Sequence, residues 1–368
     1  MSARRLVQRA HAWLGLSVGL IIVLISTTGS LLVFYPEIDA ALNPAVQSGE
    51  IADDADLIRA EETLRASYPD RTGPWRLEVT GQPGAIPARY YNPPETAGRA
   101  FAPMMLWVSP DGREVVRTEF WGDYAMTFIY DLHYRLLAEG AGTKLVGYIG
   151  LVAVILVLTG LWSFWPRGSW AKALALRLRG HPLRRWRDAH KIAGLVGLIP
   201  LLMLFATGAM LALPEESETV LSPIIGKPDR QSAPAVPPLP VAADLSAALA
   251  LARTQFPQAR LAWIETPGTE GCCFRFRFQI SGDPSRRFPH SYVWVTRSGS
   301  TIVQSIDANA ANAHSRLLNW LHPLHDGSFG GLTTRILTAA MGLLPLILFV
   351  TGLYRWRLRR KQLRDAGC

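Results

Sequence analysis

Four stretches without a charged residue punctuate the chain: Leu14–Tyr35, Leu145–Trp165, Ile192–Leu213 and Ile336–Tyr354. Each is close to the ~20 residues a helix needs to cross the hydrocarbon core. Backbone groups in lipid must hydrogen-bond internally, so these stretches predict helices. The first begins too late and runs too long for a cleaved signal, and no A-x-A-like site follows it, so it is read as a span. Between the spans the pattern changes. Asp56–Tyr68 has helical spacing, Trp75–Thr80 is strand-like, and Met105–Val116 predicts a hairpin around Pro110-Asp111-Gly112. The same order returns later: Leu245–Phe256 as helix, Cys273–Ile280 as an alternating strand, and Tyr292–Val303 as a hairpin around Ser298-Gly299. Ser232–Pro240 reads as a Pro-rich extended spacer.

The apolar stretches also repeat. His11–Gly29 returns as His190–Gly208 at an offset of 179, and His133–Gly160 returns as His325–Gly352 at an offset of 192. Every copy begins with His and ends in Thr-Gly. Gly15, Gly19, Gly194 and Gly197 supply small surfaces for close helix approach, and Pro200 and Pro345 are candidate bend points in the third and fourth spans.

Charge fixes the expected orientation. Residues 1–11, 167–191 and 355–368 hold 17 Lys and Arg against two acids, whereas the rest of the chain holds 21 basic and 27 acidic side chains. Basic flanks stay in the cytoplasm. The net charge of +9 is therefore an expression of topology, and nucleic acid is not an expected partner. The expected order is a cytoplasmic N-terminus and first helix (1–35), an outside domain (36–142), helix two (143–166) and a basic cytoplasmic loop (167–189). Helix three (190–213), a second outside domain (214–331), helix four (332–356) and a cytoplasmic tail (357–368) follow. Because both halves start inside, they are expected to be parallel repeats with a site between them.

Topology sorts the repeated histidines into two pairs. His11 and His190 fall at the cytoplasmic starts of helices one and three; His133 and His325 fall just outside the membrane, before helices two and four. Two imidazoles facing each other suit a six-coordinate haem iron, whose porphyrin fills the other four positions. Copper or zinc remains an alternative, although two imidazoles leave either under-coordinated. The offset selects His325 over its neighbour His322, which could instead touch a propionate or a substrate. His181 reads as solvated. Cys272 and Cys273 are adjacent and read as two thiols rather than a strained bridge. No C-x-x-C-H offers covalent haem attachment. Arg275 and Arg277, on one face of their strand, together with Arg286 and Arg287, read as a solvated face or as contacts for an anionic ligand.

The residues His11-Ala-Trp-Leu-Gly15 with Thr28-Gly29, Asp131-Leu-His133-Tyr-Arg-Leu136 and Thr159-Gly160-Leu-Trp162 resemble the PepSY-associated transmembrane proteins of bacteria. So do Asp188-Ala-His190-Lys, Pro323-Leu-His325-Asp-Gly327 and Thr351-Gly352-Leu-Tyr354 in the second half. The resemblance implies an α-helical inner-membrane protein: a four-helix bundle made of two parallel repeats, each carrying a periplasmic α+β PepSY-like domain. Within that family the chain is similar to ferric-siderophore reductases of the ferrioxamine type. That similarity implies haem b, one or two groups, held by His11, His190, His133 and His325. It further implies reduction of a ferric siderophore outside the membrane, with release of Fe(II) for iron uptake. No G-x-G-x-x-G is present, so the expected donor is a cytoplasmic partner or quinol. A non-catalytic ligand-binding or accessory role in metal uptake is the alternative. A transporter is disfavoured because the spans carry no charged residue to couple ions.

Overall fold

The structure is a computed structural model that describes residues 2–166, 168, 169, 175, 181–229, 234, 237 and 242–365. Most of the basic loop expected at 167–189 before His181, and most of the Pro-rich spacer, lie outside the described residues. The chain divides into two compact units, one of residues 1–34, 129–217 and 324–368, the other of residues 35–128 and 218–323.

The first unit is helical. Its first two helices are α1 (Ala3–Ser17) and α2 (Gly19–Leu32); α3 (Tyr35–Leu42) and α4 (Asp54–Ser67) follow in the second unit. α5 (Ala125–Arg135) carries His133 into α6 (Glu139–Phe164), then come α7 (Pro182–Val196) and α8 (Leu198–Ala212). After α9 (Pro214–Ile225), α10 (Leu245–Gln255) and α11 (Ala313–Asp326), the chain ends in α12 (Gly331–Gly342) and α13 (Leu344–Asp365).

Two helices are long and apolar enough to cross a membrane unbroken: α6, and the 35-residue stretch Ser328–Gln362 that contains α12. The other two expected spans are not straight. α1 meets α2 at a bend of 60°, and α7 meets α8 at 62°. Proline explains the second bend. Pro200 has no N–H for the carbonyl of Val196, and its ring crowds that carbonyl, so α7 stops at Val196. At the first bend Gly19 lies under the Phe349 ring, where a Cβ would come within 2.6 Å of Phe349 Cδ2. His11 and His190 each sit within a basic, amphipathic helix seven residues ahead of the break.

The second unit holds one eight-stranded antiparallel sheet in the order β4-β3-β2-β1-β5-β6-β7-β8. The strands are β1 (Trp75–Glu78), β2 (Ile86–Tyr90), β3 (Met104–Val108), β4 (Val115–Phe120), β5 (Arg260–Glu265), β6 (Cys273–Gln279), β7 (Ser291–Thr296) and β8 (Ile302–Ile306). The two outside segments, expected as separate domains, thus meet through the β1–β5 pair, with Leu77 opposite Ile264. α4 and α10 are the helices that pack on the sheet. Asp53 caps α4 by accepting from the Asp56 amide, and Asp56 returns the bond to the Asp53 amide. Asp244 caps α10 in the same way through the Ala247 amide. Their apolar faces, Leu57, Ala60 and Leu64 in α4 and Leu245, Ala248, Leu249 and Ala252 in α10, share a core with the inward side of the sheet. Each hairpin turn rests on its helix through a glycine with left-handed backbone, Gly112 (φ +76°) and Gly299 (φ +69°). A Cβ there would strike Asp56 O at 2.3 Å or Ala247 Cβ at 2.5 Å.

Strand β6 shows how the sheet is sided. Phe274, Phe276 and Phe278 are fully buried towards the helices, while Arg275 and Arg277 point the other way. Phe276 sits between Ile264 and Val293 in register. We expect Phe276→Ala to cost about 3–5 kcal/mol through the cavity it leaves, read as an earlier denaturation midpoint by tryptophan fluorescence. An unchanged midpoint would mean that this face is not the core. Cys272 and Cys273, expected as free thiols, are joined as a vicinal disulfide.

Candidate functional site: two facing histidine pairs

Each repeated histidine is held by a neighbouring helix in the same manner. His11 on α1 donates from Nδ1 to Leu156 O and Thr159 Oγ1 of α6, both at 3.1 Å. His190 on α7 reaches Leu348 O and Thr351 Oγ1 of α13, both at 3.0 Å. His133 on α5 reaches Ile25 O at 2.8 Å and Thr28 Oγ1 at 3.4 Å on α2. His325 on α11 reaches Leu204 O and Thr207 Oγ1 of α8, both at 3.1 Å.

The receiving helix offers three groups in a fixed spacing: a carbonyl, a threonine three residues later, and the glycine after it. The imidazole lies on that glycine. A Cβ would come within 2.7 Å of His133 Cε1 at Gly29, 2.8 Å of His325 Cε1 at Gly208, 3.2 Å of His11 Cε1 at Gly160 and 3.5 Å of His190 Cε1 at Gly352. The first two are closer than any real Cβ contact, so only glycine fits beneath His133 and His325.

These contacts determine the tautomer. A carbonyl only accepts. The threonine hydroxyls give their protons to carbonyls one turn back, Thr28 to Leu24 at 2.8 Å and Thr159, Thr207 and Thr351 to Ile155, Met203 and Ile347 at 2.7 Å. They therefore present only lone pairs to the ring. Nδ1 must carry the proton in all four histidines, and Nε2 keeps the free lone pair that a metal needs.

The rings then pair as the repeat predicts. His11 faces His190 with centroids 6.2 Å apart, and His133 faces His325 at the same 6.2 Å. With a metal–imidazole bond of about 2.0 Å, His11 with His190, and His133 with His325, would each be close enough to hold one metal ion between two imidazoles. The pairs occupy opposite ends of α6. His11 docks at Thr159, roughly 30 Å along the helix from Glu139, whereas His133 precedes Glu139 by one short loop. In that loop Leu136, Leu137 and Glu139 adopt left-handed backbone, with φ of +49°, +58° and +50°. Such residues cost about 1–3 kcal/mol each and persist where the surroundings fix them; here they turn the chain between the His133 helix and α6.

The remaining histidines are placed elsewhere. His322 packs against Phe288 at 5.5 Å and takes no part in the pair made by His325. His290 bonds the Asn319 side chain, and His314 bonds Gly226 O at 2.6 Å. His181, expected to be solvated, caps α7 through the Leu183 amide at 3.3 Å.

Reading the sequence by residue type found the four histidines but missed the four threonines and glycines that hold them. The signal was present. Thr-Gly closes every copy of the repeat, and only its role as the imidazole seat was invisible without the helix pairing.

The sequence model of the family described as the PepSY-associated TM region matches residues 8–359. No curated protein sequence matches the chain.

Proposed function

The chain belongs to the PepSY-associated transmembrane family, and from that premise we propose that it is a haem-containing inner-membrane reductase. In this reading it passes electrons across the bilayer to a ferric siderophore and releases Fe(II) for uptake. The two unbroken apolar helices and the two bent pairs make four crossings, in two parallel repeats. The basic flanks hold both termini in the cytoplasm, and the sheet unit is periplasmic.

One observation carries the proposal: four imidazoles, each forced into the Nδ1–H tautomer, arranged as two facing pairs at opposite ends of a membrane-length helix. His11 and His190 would hold one haem b, and His133 and His325 the other. Bound there, the groups supply one-electron iron couples that neither the side chains nor the backbone can provide.

The chain's own contribution is to fix the ligands. The carbonyl and threonine acceptors orient each ring and raise its basicity, as outer partners of metal-bound histidines do. Ferric iron takes one electron per ion, and Fe(II) matches hard oxygen donors less well, so the chelate loosens. The donor is a quinol, giving two electrons and two protons, or a cytoplasmic reductant docked on the basic flanks.

An optical spectrum of the purified protein tests the reading. We expect a Soret band that shifts on dithionite reduction and loses about half its intensity in His325→Ala, in proportion to one ligand pair of two. His322→Ala should leave it unchanged. A colourless protein from haem-replete cells would sink the proposal.

A further inference from the structure

The face of the sheet turned away from α4 and α10 is cationic. It carries Arg89 on β2, Arg76 on β1, Glu78 on β1, Trp263 and Glu265 on β5, Arg275 and Arg277 on β6, and Tyr292 on β7. The register sets Arg76 directly opposite Arg89 across the β1–β2 pair, an arrangement that is destabilising unless something offsets it.

The carboxylates present offset only part of it. Glu265 meets Arg76 at 3.0 Å and Arg275 at 2.6 Å. Glu78 meets Arg287 at 2.8 Å and Arg89 at 3.7 Å. Among the described residues, the guanidiniums of Arg76, Arg89 and Arg275 on this face thus meet two carboxylates, one of which also holds Arg287. Arg277 makes its contact with the Tyr292 hydroxyl instead of an acid. Burial above all, with Arg76 and Arg275 beside it, pushes the Arg277 guanidinium below its ordinary pKa, against the pull of Tyr292.

Aromatic rings hold the cations in place. Arg76 and Arg89 both lie over Trp263, at 5.4 and 5.1 Å, and Arg275 and Arg277 lie over Tyr292, at 5.9 and 4.8 Å. The face is therefore neither the solvated one that the alternation in β6 allows nor a neutralised ion-pair network. Among the described residues, the buried Nε–H groups of Arg89 and Arg277 have no hydrogen-bond acceptor. The side chains of Arg76, Arg275 and Arg287 remain 18, 23 and 38% exposed, so the cluster is half-buried but keeps contact with solvent.

We propose that this arginine face is the binding site for the iron chelate, and that it selects polyanionic oxygen-donor chelates, carboxylate or catecholate, over cationic ones. The proposal rests on the reductase reading for its biological sense and not for its geometry. An anion with several oxygens supplies acceptors for the Nε–H groups of Arg89 and Arg277 and adds negative charge to a cationic face. Arginine favours such ligands because its planar donors match carboxylate-like oxygen pairs.

The test is calorimetric titration of the full-length protein in detergent with the gallium(III) citrate complex, an anionic stand-in for a ferric carboxylate chelate that cannot be reduced. Saturable binding is expected, weakening as salt rises. Arg277→Gln and Arg275→Gln should each lose about 10–100-fold in affinity, while Arg275→Lys, which keeps the charge but not the planar donors, should lose less. The cationic gallium complex of desferrioxamine should bind at least about 10-fold more weakly than the citrate complex. Absence of saturable binding, equal affinity for the two complexes, or equal affinity for inorganic phosphate would overturn the proposal. So would Gln variants that keep both melting temperature and affinity. If the Gln variants melt early, Arg275→Lys decides, because a loss of affinity there as large as expected for Gln removes charge as the cause. Gallium binding does not involve haem. A colourless protein that binds gallium citrate would refute the reductase and leave this site standing, and a haem protein that does not bind it would do the reverse.

Discussion

If each histidine pair holds one haem as proposed, Gly208→Ala is expected to lower the haem content from two groups per chain to one, measured by pyridine haemochrome against protein concentration, and Gly29→Ala to do the same. The added methyl would stand 2.8 Å from His325 Cε1 in the first case and 2.7 Å from His133 Cε1 in the second. Ordinary contact lies near 3.5–4.0 Å between carbons, so the ring must retreat by most of an ångström. Retreat breaks the bond from Nδ1 to the carbonyl and threonine on the same helix and carries Nε2 out of line with its partner. Losing that outer support alone typically costs 10–100-fold in metal affinity, and misalignment adds to it. The equivalent change under His190 is the control. At Gly352 the Cβ would be 3.5 Å from the ring, an ordinary contact, so Gly352→Ala should keep both groups. Equal damage from all three variants would show that the glycines serve helix packing and not the imidazole seats.

How far the sequence reveals this arrangement depends on whether the relevant physics is local. The histidine pairs are legible because a constant offset places equivalent residues in equivalent positions, and His325 separates from His322 on that ground alone. Strand β6 is legible because Phe and Arg alternate strictly. β2 is not, since Pro87 argues for an edge strand, yet β2 lies between β1 and β3, with Pro87 opposite Trp107. The joining of the two segments between the apolar stretches rests on β1 pairing with β5, residues nearly two hundred positions apart, and no periodicity encodes that. The bends at Val18 and Gly197 were hidden for a different reason. Apolar composition reports burial in lipid and is blind to helix direction, so a run such as Leu14–Tyr35 reads as one span although it breaks near its start. Alternation likewise told which way Arg275 and Arg277 point, but not that Trp263, Tyr292 and two scarce carboxylates would surround that face.

Replacing both threonines of one pair, Thr159→Val with Thr351→Val, should raise the midpoint potential of the group held by His11 and His190 and leave the other unchanged. Valine keeps the volume and loses the oxygen, so packing is conserved while Nδ1–H retains only the carbonyls of Leu156 and Leu348. A hydrogen bond contributes about 0.5–1.5 kcal/mol net, and here the donor is shared between two acceptors, so the change is a fraction of that at each ring. The sign follows from charge. A bond accepted from Nδ1–H makes the imidazole a stronger donor and favours Fe(III), so weakening it favours Fe(II). The expected rise is tens of mV, below the roughly 59 mV that a tenfold shift represents in a one-electron couple. Redox titration followed in the visible bands reads it directly. Serine at both positions restores the oxygen and should return the potential towards the wild-type value. A potential that stays put, falls, or fails to recover with serine would show that the hydroxyls serve the helix backbone alone and that the carbonyls by themselves set the tautomer.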